Sequence, residues 1–588
     1  MALMNQIFRT FCRRTSLHGW QFLGGLNGKG LKETWQKIYW LFAVMLSLIF
    51  GISYMMFHIQ EYRDSMPITS LDNVTIPLAD IYFPSVAVCN INQVRQSYFE
   101  ELGVDLRKEF VDQVYGKYIE GKELNETKVF TENSEEEQTI LKRLEERTKD
   151  DQDHPLGWDT HQKCQDMLLD STWNGSTWDD SHLEWDMEMD YGICCYYSPQ
   201  LNTTQMTIEK QQNNLDWGKL YRNMPKGAPM GKDNGYSLLL DIEVFDYGYR
   251  NEISEGVKME LVKHFEVPMM RQTGFHMSPG TENQIAVNSI QMSTSYKAIK
   301  RFPPDKRNCY TENESLLSHL SSKDGYLYSL NNCLFEAIIK HIIDNCKCYP
   351  RKFIYMSNHY QQDLGLQNCY GEGLECMNNK IKQLGRFNYV SNNGSYRKCR
   401  PNCEDQKNSI TITSSIYPNG RAFVQRNEFC TLCKSLIQKC NNSKKVPLEN
   451  VYPGLCGLLE PLSNIDLNQT CSKQEWPLLR KMLYNCTSNH CLIEEMVIKY
   501  ARENLVLANI FMKSPFVTRF LKDEKEGLTA YVAKSGGLLG LAMGFSVVSC
   551  FEIIYYILLG LSMGKSKTRS HSKSMKAKFK NRIIPGMS

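Results

Sequence analysis

The sequence carries no phosphate-binding loop, no His-Glu-x-x-His and no Ser/His/Asp constellation, so nothing in it supports an enzyme. Cysteine is nearly missing from the two ends: of 21 cysteines, only Cys12 and Cys550 fall outside residues 58–530. Asn-x-Ser/Thr acceptors are missing from both ends altogether. All nine lie in the same stretch, at Asn73, Asn125, Asn174, Asn202, Asn313, Asn393, Asn441, Asn468 and Asn485. Acidic residues are missing after Lys565, and basic residues are missing from Cys164 to Glu209. Long apolar runs are scarce too. There are two, near the N-terminus and near the C-terminus, each long enough to cross a bilayer, for which about 20 residues suffice.

These gaps divide the chain. The first run, Ile38 to Phe57, has no formal charge; it is long for a signal peptide, and no small-residue cleavage site follows it. It reads as an uncleaved membrane helix. Six Lys/Arg precede it, and eight follow the last run, so positive flanks put both termini in the cytoplasm. Disulfide and glycan chemistry both belong to the exterior, which makes 58–530 extracellular. The net charge of +3 hides an asymmetry: the tails carry about +13, leaving about −10 elsewhere, enough to concentrate cations outside. The basic tail suits anionic membrane lipids, and nucleic acid is not expected as a partner.

The last run, Tyr531 to Met563, is the most informative. It holds Gly536, Gly537, Gly540 and Gly544, and a single carboxylate, Glu552. Gly-x-x-x-Gly spacing is explained by helix packing. An ionisable residue at membrane depth is not; it marks a pathway. On one continuous helix Glu552 shares a face with Leu541, Phe545 and Val548, whereas Ser546 lies roughly 120° away. Both polar groups line one channel if the helix breaks between the glycines and Glu552. Broken backbone is tolerated where it lines water, and its carbonyls can replace an ion's hydration shell. Gly544-Phe545-Ser546 followed by Glu552 therefore reads as an ion filter.

Between the spans, Ile81 to Asn90 reads as a strand, 91–120 as helical, and 131–153 as a solvated helix face. Residues 170–190 combine Trp173, Trp178 and Trp185 with seven acids, among them Asp179, Asp180 and Asp186. Such a segment suits a cationic ligand, or else is an acidic glycan-bearing loop. Ser237 to Phe245 and Gln284 to Ile290 alternate like strands. Cys333, Cys346 and Cys348 staple a helical run, with disulfides favoured over zinc. Seven cysteines in 427–491 look like an insertion with its own staples.

In order along the chain, His18-Gly19, Phe83-Pro-Ser-Val-Ala-Val-Cys-Asn90, Gly192-Ile-Cys-Cys195, Pro279-Gly280, Glu503-Asn-Leu-Val-Leu507 and Gly536-Gly537 through Ser546 to Glu552 resemble the degenerin/epithelial sodium channel superfamily. The wording of Gly-Ile-Cys-Cys and Glu-Ile-Ile-Tyr-Tyr is closest to the invertebrate FMRFamide-gated and pickpocket-like channels. The resemblance implies an α+β membrane protein, a trimeric channel with two transmembrane helices and a large disulfide-rich ectodomain. That ectodomain has a β-sheet palm and a helical thumb and finger. It implies a cytoplasmic N-terminus (1–37) with a re-entrant His-Gly motif, spans at 38–57 and 531–563, and an extracellular domain at 58–530. Within that domain the finger falls in 91–210, the thumb in 309–403 and the cysteine-rich insertion at 427–491; a basic cytoplasmic tail occupies 564–588. The family's filter falls on Gly544, Phe545 and Ser546, beside Gly540, Leu541 and Glu552. Its gating positions fall on Ala530, His18 and Gly19. The resemblance pairs Cys309 with Cys403, Cys333 with Cys399, Cys346 with Cys376 and Cys348 with Cys369. Cys89 pairs with Cys194 or Cys195, and Cys164 with the other. A fifth thumb rung is lost, Ala337 and Arg397 standing in both its positions. Lys534 stands where acid-sensing channels carry aspartate.

The function expected is a ligand-gated, sodium-selective channel of the plasma membrane, blocked by amiloride-type compounds and opened by a short amidated neuropeptide. It would be a homotrimer or heterotrimer with no cofactor and no metal site, Na+ being what permeates. The alternatives are gating by protons, mechanical force or another small ligand, and a non-conducting receptor or adhesion ectodomain. Glu552 either contacts ions or braces the His18-Gly19 segment below the filter.

Overall fold

The computed structural model of the protein describes residues 2–25, 31–101, 135, 137–140, 142, 160–177, 182–188, 191–202, 226–248, 253–264, 266–311, 314, 317, 328–349, 366, 369, 372–384, 399–463 and 488–559. The chain forms two units: residues 1–69, 295–307 and 522–588 make one, and residues 70–294 with 308–521 the other.

The smaller unit begins with helices α1 (Ala2–Arg14), α2 (Trp20–Gly25) and α3 (Leu31–Asp64). At 1.5 Å per residue, the 34 residues of α3 span about 50 Å, so the expected first span lies inside a longer helix. Many of its apolar side chains point outward, Trp35, Phe42, Leu46, Ile49 and Phe57 among them, while Gly51 and His58 are buried. Among the described residues it is the one single helix long and apolar enough to cross a membrane.

The larger unit is built on two sheets. Strand β1 (Ser85–Asn90) is buried on both faces. It pairs with β4 (Ile193–Asn202) and β6 (Val257–Val262), whose outer neighbours are β3 (His182–Glu188) and β7 (Phe275–Met277). In the second sheet, β2 (Leu168–Trp173), β5 (Tyr236–Asp241), β10 (Leu505–Met512), β8 (Thr281–Thr294) and β11 (Phe516–Glu524) follow one another, and β9 (Glu404–Ile416) pairs with β8. Alternation sorts the side chains. Val86, Val88, Leu238, Leu240, Ile285, Val506, Ala508 and Ile510 fill one core, while Leu239 and Leu505 face the other way.

That other face is covered by helices α8 (Asn427–Cys440), α9 (Lys445–Val451), α10 (Leu455–Ser463) and α11 (Ser488–Asn504). Phe429, Leu432, Leu436, Leu448, Leu455 and Tyr500 pack with Leu239 and Phe245. The described part of the cysteine-rich stretch forms a layer on this sheet, with its own Cys440–Cys456 disulfide. Earlier in the chain, α6 (Leu330–Cys346) is capped by Ser329, whose Oγ accepts from Asn332 N, and it stops where Lys347 turns left-handed. It lies beside α7 (Glu372–Leu384). The short helices α4 (Gln96–Glu101) and α5 (Tyr296–Arg301) complete the elements used below.

Two expected elements differ. The strand expected over Ser237–Phe245 ends at Asp241, because Glu243 takes a left-handed φ of 49° and starts a 3-10 turn at Val244. The helix expected over 91–120 begins only at Gln96, as α4; 91–95 are not helical, and 102–120 lie outside the described residues.

Candidate functional site

The last apolar run is two helices. Helix α12 (Leu528–Met543) ends at Gly544, whose φ of +66° and ψ of 21° are left-handed. Gly544 N donates to Gly540 O (2.8 Å) and Phe545 N to Leu539 O (3.2 Å), which closes the helix end. Helix α13 (Val547–Leu559) then starts at a 67° bend. Ser546 caps it reciprocally: Ser549 N donates to Ser546 Oγ (3.3 Å) and Ser546 N to Ser549 Oγ (3.1 Å). The break therefore follows from glycine at the stop and serine at the restart. Ser546 is exposed beside half-buried Phe545, and Leu541 on α12 is also exposed.

The N-terminal segment packs onto this break. His18 N donates to Met543 O at 2.9 Å. The His18 ring lies against Gly544 so closely that a Cβ there would sit 2.7 Å from it. Gly19 turns at φ +79° beside Val44 and Trp40. Glu552 faces Thr15 and Ser16: its Oε2 accepts from Thr15 Oγ1 (3.0 Å) and from Ser16 N (3.1 Å). Ser16 Oγ reaches the same oxygen at 3.4 Å and Ser549 Oγ at 2.9 Å. Of the two roles open for Glu552, this geometry serves bracing. On α3, Ser47 Oγ donates to Ala542 O, and Gly51 leaves room for Met543.

At the other end of α12, Ala530 lies in the first turn, next to Tyr531. The Tyr531 ring sits 4.3 Å from that of Tyr62 and 5.1 Å from that of His58, both on α3. Arg301 on α5 ties these pieces together. Its Nη1 donates to Glu524 Oε2 (3.1 Å) and Glu526 O (2.6 Å), its Nη2 to Tyr62 O (2.8 Å) and Ser65 Oγ (2.9 Å). The guanidinium also covers the Tyr62 ring at 3.7 Å. Lys534 pairs with Glu526 at 3.0 Å.

In the larger unit the acidic tryptophan segment is divided. Trp173 on β2 packs edge-on against Phe83 and Tyr236, as a core residue does. Trp185 and Asp186 lie on β3 in the other sheet, and Trp178, Asp179 and Asp180 lie outside the described residues. Disulfides join Cys89–Cys194, Cys164–Cys195, Cys309–Cys403, Cys333–Cys399, Cys346–Cys376, Cys348–Cys369 and Cys440–Cys456. Cys433 is a buried free thiol. Ala337 is buried, and Arg397 lies outside the described residues. Of the sequon asparagines, Asn73, Asn174 and Asn441 are exposed and Asn202 ends β4; the other five lie outside the described residues.

Sequence reasoning missed a buried charge network under α8. Lys439 bonds to Asp241, which also accepts from Tyr500 Oη at 2.9 Å, and both Lys439 and Lys444 reach Glu243 at 2.9 Å. Burial alone would pull the Lys439 ammonium down, but Asp241 and Glu243 hold it above its ordinary range. Burial works against the Glu243 carboxylate as well, yet the two lysines bring it down to about 2. Nearby Asp246 accepts from Ser97 N and Oγ (both 2.6 Å); burial and the neighbouring Glu243 push it up to about 7. The signal available was the lysine pair, Lys439 at the end of α8 and Lys444 just before α9, beside apolar core positions.

Known proteins match the same parts of the chain. The family model described as amiloride-sensitive sodium channel matches residues 11–556. Pickpocket protein 28 of Drosophila melanogaster is 23% identical over 426 residues, 68% of this chain and 57% of that protein. Acid-sensing ion channel 1A of Danio rerio is 22% identical over 354 residues, 58% of this chain and 61% of that protein. The epithelial sodium channel subunit beta of Aquarana catesbeiana is 21% identical over 213 residues, 35% of this chain and 71% of that protein. The chain thus spans less than two thirds of the first two relatives' length.

Proposed function

Because the chain belongs to the amiloride-sensitive sodium channel family, we propose that it forms a sodium-selective, amiloride-sensitive pore in the plasma membrane, as a homotrimer or heterotrimer. Both termini are cytoplasmic, and the pore is lined by α12 and the turn at Gly544-Phe545-Ser546. The observation that carries this is the break itself: a left-handed Gly544 between two apolar helices bent by 67°, followed by the exposed Ser546. Such a turn presents carbonyls and a hydroxyl to a permeating ion, while Glu552 holds the N-terminal segment beneath it. Gating joins the outer ends of α3 and α12, around Ala530 and Arg301.

The stimulus we favour is a short amidated, cationic peptide bound in the finger region. The absence of Lys and Arg from 164 to 209 supports it. An agonist must favour the open state by several kcal/mol for a full switch. A second reading takes protons as the stimulus: Asp246, pushed up to about 7, changes charge at physiological pH, and one relative bears the name acid-sensing.

Voltage clamp of the expressed full-length chain is the test. A sodium current whose reversal potential shifts in Ser546→Ala is expected. Absence of current under peptides, acid and stretch would leave the non-conducting receptor. A peptide-library screen and an acid step separate the two stimuli, and unchanged peptide potency in the triple variant Asp179→Asn, Asp180→Asn, Asp186→Asn would remove the acidic segment as the site.

A further inference from the structure

We propose that Ser16 is a phosphorylation site for an arginine-directed protein kinase, and that the modification releases the N-terminal segment from Glu552. This rests on the channel reading for the cytoplasmic side of Ser16 and for its effect on current. Two independent observations meet at this residue. The sequence around it is Arg13-Arg14-Thr15-Ser16, with two guanidinium groups two and three positions ahead of the acceptor hydroxyl. Kinases that read such patterns carry carboxylates in the peptide groove, and guanidinium–carboxylate pairing supplies the specificity. Structurally, Thr15 and Ser16 follow the last turn of α1 and are not helical, and Ser16 is exposed. It offers its hydroxyl where a kinase can take hold of it.

The consequence follows from what that hydroxyl touches. Ser16 Oγ lies 3.4 Å from Glu552 Oε2 and 2.9 Å from Ser549 Oγ, and Ser16 N donates to the same carboxylate oxygen. In the transfer, Ser16 Oγ attacks the γ-phosphorus of a nucleoside triphosphate. The new Oγ–P bond replaces the bond to the β,γ-bridging oxygen, the nucleoside diphosphate leaves, and the hydroxyl proton goes to the kinase's catalytic carboxylate. A group of charge near −2 then occupies the position of a hydroxyl against a carboxylate. Like charges at this distance, half-buried, cannot share the site. The Thr15 and Ser16 bonds to Glu552 are lost together, and with them the contact that holds His18 under Gly544.

The test uses full-length protein in cell membranes, exposed to the catalytic subunit of an arginine-directed kinase with ATP and then digested for mass spectrometry. Phosphate on Ser16 is expected in the unaltered chain, reduced about tenfold in Arg14→Gln and absent in Ser16→Ala. Its absence from the unaltered chain overturns the proposal. Release is read by maleimide labelling of Ser549→Cys in a Cys550→Ser background. Ser549 is buried, so labelling is expected after phosphate addition and not before. Phosphate without that gain overturns the switch. In inside-out patches, sodium current should fall about tenfold on phosphorylation and stay within about twofold in Arg14→Gln. Current that persists despite gained labelling overturns the link to conduction. Patches silent before any treatment defeat the channel reading instead, while phosphate and labelling still decide the site and the release.

Discussion

Gly544 concentrates two demands that only glycine meets: a φ of +66° and the His18 ring where a Cβ would stand. Left-handed backbone costs an L-residue about 1 kcal/mol or more, and the clash adds to it. Gly544→Ala is therefore expected to reach the surface, since the larger unit does not depend on it, but to lose sodium current more than about tenfold. Surface biotinylation beside voltage clamp checks both halves. Gly544 and Ser546 were legible because their chemistry is local; a stop and a cap can be read from adjacent residues. The partners of Glu552 were not, because Thr15 lies 537 positions away in sequence. A carboxylate in an apolar run announces that it needs something, without saying what.

Between residues and the whole lie elements, and here the joint at Arg301 is informative. One guanidinium accounts for the Tyr62 carbonyl near the end of α3, the Glu524 carboxylate at the end of β11 and the Glu526 carbonyl two residues before α12. Arg301→Gln removes four donated bonds and the cover over Tyr62, leaving Tyr62 O and Glu524 without a cation. About 2–3 kcal/mol of local stability is expected to go. Loss of monodisperse protein in detergent at a lower temperature would register it, and Arg301→Lys should recover part. Element identity was well signalled where period and burial agreed, as at β1 and α6. It failed where one residue overrode the pattern. Leu238-Leu239-Leu240 continues into Ile242-Glu243-Val244-Phe245 as a strand would, yet Glu243 turns left-handed to meet Lys439 and Lys444. Composition treats the acidic tryptophan run as one surface, whereas its described strands belong to different sheets.

For the molecule as a whole, the buried carboxylates set opposing dependences on pH. Folding raises the proton affinity of Asp246 to about 7, so its contribution is most favourable at low pH and is lost as pH rises through about 7. Glu243 runs the other way: lowered to about 2, it stabilises above the ordinary carboxylate range and loses that as pH falls towards about 2. Asp246→Asn should therefore flatten the decline in stability between about pH 4 and pH 7, by at most ~4 kcal/mol. Thermal melts of the full-length protein in detergent across pH 4–8 measure it, and an unchanged slope would assign the decline to other groups. The disulfide framework and sheet outline of the larger unit were legible from its cysteines and its alternating segments. The network beneath α8 was not, since its carboxylates and lysines meet only when the sheet closes.

That closure has a consequence for how the chain is made. Strand β10 sits between β8, to which it is parallel, and β5, to which it is antiparallel, yet it comes more than 200 residues after both. During synthesis the two earlier strands emerge with a row of amides each waiting for a partner still inside the ribosome. The cysteine loops between Cys309 and Cys403 can be sealed in that interval, but the sheet cannot. Only 15 residues separate the end of β10 from the start of α12, so the missing strand and that helix emerge almost together. The nascent chain must be kept from edge-to-edge association until then, throughout its longest stage of assembly.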